Sequence, residues 1–207
     1  MSELKVLIVE DEPIIAEHIA VYLNNANFVV SSIAYDDEEA FMQLKTNTPD
    51  AAILDINLDS DKDGIQIADF INKNHPLPFI FLTSYADKET LERAKTVEPW
   101  GYIVKPFNEK TLQASLEMAI SNFAQKSNQH HPKLNLEKIN KHLLTPLTER
   151  EFEVLQWIYE GKTNQQIADA IYVSVNTIKK HINNSYLKID AVSRATAITR
   201  LRKLMSK

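Results

Sequence analysis

Five polar residues stand directly after short apolar runs in the first half of the chain. Glu10 and Asp11 follow one such run, Asp55 ends a second, Thr83 ends a third, and Lys105, with Pro106 behind it, follows a fourth. If those runs are parallel strands that end together, all five side chains reach one edge of a sheet. Three carboxylates held close repel one another, and a hard divalent cation such as Mg²⁺ relieves that repulsion with oxygen ligands. A carboxylate also serves as a nucleophile toward a phosphoryl group. The phosphoryl oxygens then need positive charge and hydrogen-bond donors, which the ion, Lys105 and the Thr83 hydroxyl can supply. Singly, each residue carries little, since acidic residues at strand ends are usually solvated. The ordered set carries the argument.

The elements that would position these groups are legible from periodicity. Residues 4–9, 28–33, 51–54, 79–82 and 102–104 read as strands, and 13–25, 36–45, 64–72, 88–96 and 109–123 carry helical spacing. Five βα units in succession predict a parallel sheet covered by helices on both faces, with its site outside the carboxyl ends of the strands. Residues 125–132 are polar and read as a linker, while 134–144 has some helical spacing without a clear place. From Leu147 onward the pattern is helical throughout. Thr148 and Glu151 form a capping box, Gly161 stops that helix, Thr163 or Asn164 caps a short second helix, Ser174 a third and Ser193 a fourth.

Charge divides along the same line. Residues 1–124 hold nine Lys/Arg against 21 Asp/Glu, a net −12, whereas residues 125–207 hold 14 against seven, a net +7. Only the second half suits a polyanion. The absence of cysteine excludes disulfides and thiolate metal sites. No stretch is long and apolar enough to span a bilayer, and charges interrupt the N-terminal apolar run, so a cytoplasmic protein without a membrane role is expected.

The stretches Leu7-Ile-Val-Glu-Asp-Glu12, Ile53-Leu-Asp-Ile-Asn-Leu58, Phe81-Leu-Thr-Ser84 and Gly101-Tyr-Ile-Val-Lys-Pro106 resemble the receiver domain of bacterial response regulators over residues 3–124. The resemblance implies that Asp55 accepts phosphate from the phosphohistidine of a sensor histidine kinase. It implies Mg²⁺ held by Glu10, Asp11, Asp55 and the main-chain carbonyl of Asn57, with Thr83 and Lys105 on the phosphoryl group. Tyr102 matches the aromatic that swings inward on activation, and Lys105-Pro106 a cis peptide. Two features depart from the pattern. Asp59 takes a position where proline is common, and Gly64 comes nine residues after Asp55 rather than eight, which makes the acidic loop between them longer. Trp100 stands where a polar residue is common and reads either as an exposed partner contact or as ordinary packing.

In the basic half, residues 161–182 have the layout of a helix-turn-helix. Ile167, Ala168, Ile171, Val173, Ile178 and Ile182 fall on the inner faces. Asn176, Thr177, Lys179, Lys180 and Asn183 fall outside, where Lys and Asn suit the major groove and its phosphates. Leu147-Thr-Glu-Arg-Glu, Ile167-Ala168, Thr177-Ile-Lys-Lys-His-Ile and Ser193-Arg194 resemble the LuxR-type (NarL/FixJ) DNA-binding domain over residues 146–205. This implies a recognition helix over 174–188 that reads bases through Lys179, Lys180 and Asn183. It implies phosphate contacts at Thr163, Asn164, Thr177 and Lys188, and a last helix that builds a dimer. Family members often have glycine where Asp190 or Ala191 stands, which leaves that turn open. His181 reads as packing, and the adjacent His130 and His131 as solvated.

The expectation is an α/β chain. Residues 1–124 form a five-stranded, doubly wound, flavodoxin-like receiver domain, 125–145 a linker, and 146–207 a small all-α four-helix helix-turn-helix domain. Its function is that of a two-component transcription regulator, not a conventional enzyme. It would bind Mg²⁺, a histidine kinase and double-stranded DNA, and form a homodimer in which phosphate switches dimerisation or DNA binding. Rival readings are an RNA-binding or protein-docking regulator, a phosphatase, for which Asn57 stands where a second catalytic carboxylate is needed, and a regulator that works without phosphate.

Overall fold

The protein is described here by a computed structural model covering residues 3–84, 88–128 and 133–206. It divides into two compact units, Leu4–Phe123 and a second comprising Met1–Glu3 with Ala124–Lys207. In the first unit, strands and helices alternate: β1 (Leu4–Val9), α1 (Pro13–Asn25), β2 (Phe28–Ala34), α2 (Asp37–Thr46), β3 (Ala51–Asp55), α3 (Gly64–Asn74), β4 (Phe79–Thr83), α4 (Lys88–Thr96) and β5 (Tyr102–Val104). Then comes α5 (Glu109–Asn128), whose residues from Ala124 on belong with the second unit. The five strands are parallel in the order β2-β1-β3-β4-β5. The order reverses between β1 and β3, and such a reversal opens a crevice at the carboxyl ends of those two strands.

Both faces of the sheet are covered. Leu7, Val9, Leu54, Phe79 and Phe81 point to one side, against α2 and α3. Val6, Ile8, Ile53, Ile80 and Leu82 point to the other, against Ile19 and Leu23 of α1 and Leu112 and Leu116 of α5. Successive residues of a strand feed opposite cores, which is why the strands read as unbroken apolar runs and not as alternations. Trp100 belongs to the second of these cores and meets Phe123 edge-on, with ring centroids 5.5 Å apart, so its role is packing.

The second unit contains α6 (Leu136–Asn140), α7 (Glu149–Tyr159), α8 (Asn164–Ala170), α9 (Val175–Ile189) and α10 (Arg194–Ser206). The stretch read as a linker therefore holds the end of α5 and all of α6, and Ile139 of α6 is fully buried in the core with Val154, Leu155, Ile158, Ile167, Ile178, Ile182 and Leu201. The helix starts follow the sequence signals. Thr148 and Glu151, and Thr163 and Gln166, form reciprocal capping boxes, and Ser174 accepts from the Thr177 amide at 3.1 Å. His130 and His131 lie outside the described residues.

Three helices of this unit end alike, with one residue in the left-handed conformation. After α7, Gly161 has φ 83°, and the Lys162 amide donates to the Trp157 carbonyl at 3.0 Å. After α8, Tyr172 has φ 56°, with Val173 N–H donating to Ala168 at 3.0 Å. After α9, Asp190 has φ 57°, with Ala191 N–H donating to Tyr186 at 2.9 Å. Such closures satisfy carbonyls that the helix leaves unpaired. Asp190 thus takes the glycine-like conformation that the sequence left open. For a residue with a Cβ, this conformation costs roughly 1–2 kcal/mol, with Asp and Asn the best tolerated.

The longer acidic loop between β3 and α3 is tied down at each end. The Asp59 amide donates to Asp11 Oδ2 at 3.3 Å, and Asp63 caps α3 reciprocally with Gln66. Asp63 also pairs with Arg93 of α4 at 2.5 Å, and the Lys62 ammonium sits 4.6 Å from the Phe41 ring centroid. Gly64 closes the loop, its amide donating to Ile56 O at 3.1 Å. A Cβ at Gly64 would stand 1.8 Å from the Asp55 carbonyl oxygen, and backbone cannot yield that far. The Gly64→Ala variant is expected to lose more than about 3 kcal/mol, the upper range for overpacking. Thermal unfolding followed by circular dichroism measures it, and an unchanged melting temperature would refute the close approach.

Candidate functional site

The carboxyl ends of β1, β3, β4 and β5 bring the acidic and basic groups together. One oxygen from each of Glu10, Asp11 and Asp55 lies within 4.8 Å of the others. At that range, two full charges repel by about 3–4 kcal/mol if the effective dielectric is about 20. Lys105, on the residue after β5, answers this repulsion. Its ammonium donates to Asp55 Oδ2 at 2.6 Å and to Glu10 Oε1 at 2.8 Å, and lies 2.7 Å from Glu10 Oε2. Asp55 Oδ1 accepts from the Asn57 amide at 3.1 Å. Burial pushes the Glu10 carboxyl up to about 7, helped by the charges of Asp55 and Asp11 and opposed by Lys105. Burial would lower the Lys105 ammonium, but its bonds to Asp55 and Glu10 outweigh that and hold it above its ordinary value.

Thr83 ends β4 beside this cluster. Its hydroxyl is buried and has no hydrogen-bond partner among the described residues. The Lys105 amide donates to the Thr83 carbonyl at 2.8 Å, so β4 and β5 hold the two groups in register. Tyr102 begins β5 with its ring turned outward, half-exposed and 5.9 Å from the Phe81 ring. The Lys105–Pro106 peptide is cis.

The α9 helix presents the polar face. Asn176, Lys180, Asn183, Asn184 and Leu187 are exposed along it at helical spacing, while Ile178, Ile182, Tyr186 and Ile189 bury the opposite face. Lys179 is partly covered, its ammonium 2.5 Å from the Glu3 carboxylate. Thr177 lies against the cap, 2.9 Å from Ser174 Oγ. Thr163 and Asn164 are 4% and 2% exposed, at the start of α8. The Lys188 ammonium is spoken for, donating to Glu151 Oε2 at 2.7 Å and to the Pro146 carbonyl at 3.0 Å. Thr163, Asn164 and Lys188 therefore each have a place in the packing or capping of this unit.

The response regulator receiver domain model matches residues 6–117, and the model for bacterial regulatory proteins of the luxR family matches residues 145–201. The first alone spans more than half of the chain. This chain belongs to the response regulators. A receiver followed by a LuxR-type DNA-binding domain makes it a two-component DNA-binding regulator. The response regulator protein VraR of Staphylococcus saprophyticus is 27% identical over 198 residues, covering 94% of each chain. VraR of Staphylococcus aureus is 27% identical over 202 residues with the same coverage. The signal receiver domain of a modulated diguanylate cyclase from Desulfovibrio desulfuricans superimposes with a TM-score of 0.57 at 38% identity, over 59% of this chain and 97% of that one. Full-length FixJ from B. japonicum shares the fold across 100% of both chains, with a TM-score of 0.55 and 19% identity.

In this response regulator, several basic residues of the second unit are structural, which residue type alone does not reveal. Arg194 is buried, donates to the Ile158 carbonyl at 3.2 Å and also reaches the Lys162 carbonyl. The Arg200 Nε donates to Ile189 O at 3.1 Å. Both place positive charge at helix C-termini, where the backbone dipole favours it. Asn184 and Leu187 are the exposed positions of α9 that sequence reasoning passed over, although a period of 3.6 carried on from Asn176 and Lys180 reaches both. No helix among the described residues is long and apolar enough to cross a membrane.

The Glu151–Lys188 pair gives the second unit a pH dependence. Burial pushes Glu151 up, but the bonds from Lys188 and Thr148 outweigh it and hold the carboxyl below its ordinary 4.5. A lowered carboxylate contributes stability above the unfolded value and loses it as pH falls through the folded one. The Lys188→Met variant is expected to lose about 2 kcal/mol at neutral pH, the scale of a hydrogen bond to a charged group. The gap from wild type should close progressively below pH 4.5. Denaturant unfolding across pH measures this, and a gap independent of pH would sink the assignment.

Proposed function

We propose that Asp55 is the phosphoacceptor and that its phosphorylation by a sensor histidine kinase controls transcription. The carrying observation is the Asp55 carboxylate held 2.6 Å from Lys105, with Glu10 and Asp11 close by and the Thr83 hydroxyl buried without a partner. The donor set of three carboxylates fits a hard divalent ion, and Glu10, Asp11, Asp55 and the main-chain carbonyl of Asn57 would hold Mg²⁺. The ion supplies positive charge to the oxygens of the group being transferred. An Asp55 oxygen attacks phosphorus, the P–N bond of the kinase's phosphohistidine breaks, and its electron pair returns to the imidazole. Lys105 neutralises the phosphoryl oxygens, and the Thr83 hydroxyl donates to one of them. As Thr83 is drawn toward the phosphate, Tyr102 turns inward from its half-exposed position.

The output is duplex DNA binding by a homodimer in the cytoplasm. Lys180 and Asn183 head the base-reading set, with Lys179 joining it when its ammonium leaves Glu3, and Thr177 lies near the phosphates. Paired domains favour paired half-sites, and so near-palindromic or directly repeated operators.

After incubation with acetyl phosphate and Mg²⁺, wild-type protein is expected to shift on a phosphate-affinity gel, while Asp55→Asn does not. Chelating the metal should abolish the shift. A shift in both proteins would place the phosphate elsewhere, and a shift in neither would remove Asp55 as an acceptor of small-molecule phosphate. The phosphorylated protein should then retain duplex fragments of genomic DNA in preference to RNA at moderate salt.

A further inference from the structure

Of the three left-handed helix ends in the second unit, Tyr172 is the anomaly. Gly161 has no Cβ to clash and Asp190 has a short polar side chain, whereas Tyr172 is bulky, and at φ 56° it is a genuine outlier. The usual reason for such a residue would be packing, yet its side chain is 95% exposed. The phenol has no hydrogen-bond partner among the described residues, so the turn that closes α8 uses only the backbone of Tyr172 and gains nothing from its ring. A bulky side chain held at a strained position and unused by the fold is a pointer to a contact made outside it.

Position names that contact. Tyr172 sits in the turn between α8 and α9, two residues before Ser174, which caps α9. It therefore stands at the end of α9 that a helix-turn-helix points into the major groove. The exposed Asn176 and Lys180 begin the polar stripe one and two turns further on. An aromatic ring with a free hydroxyl, aimed outward at that end, is suited to lie along a deoxyribose and donate to a phosphate oxygen.

We propose that Tyr172 is a DNA-backbone contact of this regulator, clamping the sugar-phosphate strand beside the groove that α9 enters. The inference rests on the reading of α9 as the DNA-facing helix. Because the phenol is neutral, its contribution releases no counterion and leaves the salt dependence of binding unchanged, unlike that of a lysine.

The test uses the full chain, phosphorylated with acetyl phosphate, and a fluorescein-labelled random-sequence duplex titrated across salt concentrations. Tyr172→Gly is expected to weaken binding about three- to tenfold, the scale of one hydrogen bond with its ring contact, at an unchanged salt slope. Its melting temperature should hold or rise, since glycine relieves the turn. Tyr172→Phe keeps the ring and should recover part of the loss. Lys180→Ala serves as the comparison and should reduce the salt slope by about 1. If Tyr172→Gly binds as tightly as wild type while Lys180→Ala weakens binding, the Tyr172 contact is wrong and the DNA-facing role of α9 stands. If wild type binds no duplex, both fall. A lower melting temperature for Tyr172→Gly would show the ring supporting the fold and would also overturn the proposal.

Discussion

One ammonium between two buried carboxylates is the constraint around which the first unit is organised. The reversal of strand order between β1 and β3 brings the ends of these strands side by side, and so forces Glu10 and Asp55 together. Without a cation, their repulsion would oppose the packing of the sheet. Lys105 supplies that cation from β5, two strands away from β3, and its 2.6 Å bond to Asp55 spans the edge of the sheet. The same arrangement makes Asp55 a chemical site. In the proposed phosphotransfer, the ammonium that neutralises this carboxylate would pass to the new phosphoryl anion. The pair is therefore a structural tie at the proposed acceptor.

The surroundings of Asp55 are correspondingly rigid. Gly64 leaves no room behind its carbonyl, and the Asp59 amide and the Arg93–Asp63 pair tie the acidic loop to Asp11 and to α4. A loop with three aspartates would otherwise be held apart by its own charge. Here, Arg93 and the Gln66 amide answer the charge of Asp63, and the Asp59 amide ties the loop to Asp11.

In the second unit, positive charge is divided between two tasks. Arg194, Arg200 and Lys188 hold helix ends and a buried glutamate, while Lys180 remains exposed on α9. A net charge of +7 therefore overstates the charge offered to a polyanion. The same unit closes three helices by one backbone device, but fills the left-handed position with Gly161, Tyr172 and Asp190 in turn. Only Tyr172 puts a large side chain into solvent at that position.

The local signals in the sequence were sufficient for most elements. Apolar runs marked the strands because a doubly covered sheet buries both faces of each strand. Thr148, Thr163 and Ser174 marked helix starts because a cap requires a side-chain oxygen at one position. The order of Glu10, Asp11, Asp55, Thr83 and Lys105 along the chain implied their convergence, since parallel strands end on one edge. What the sequence could not decide was how each polar group is spent. Thr163, Asn164 and Lys188 carried the residue types of phosphate ligands, and the structure gives them a second task, burial at the start of α8 for the first two and a bond to Glu151 for the third. The segment read as a linker supplies Ile139 to the core, because a short helix can be stabilised by tertiary packing that its own propensity would not sustain. Residue type and spacing determined which chemistry this chain has available. Only tertiary structure decided which groups keep a free side chain to perform it, because partners distant in sequence consume the rest.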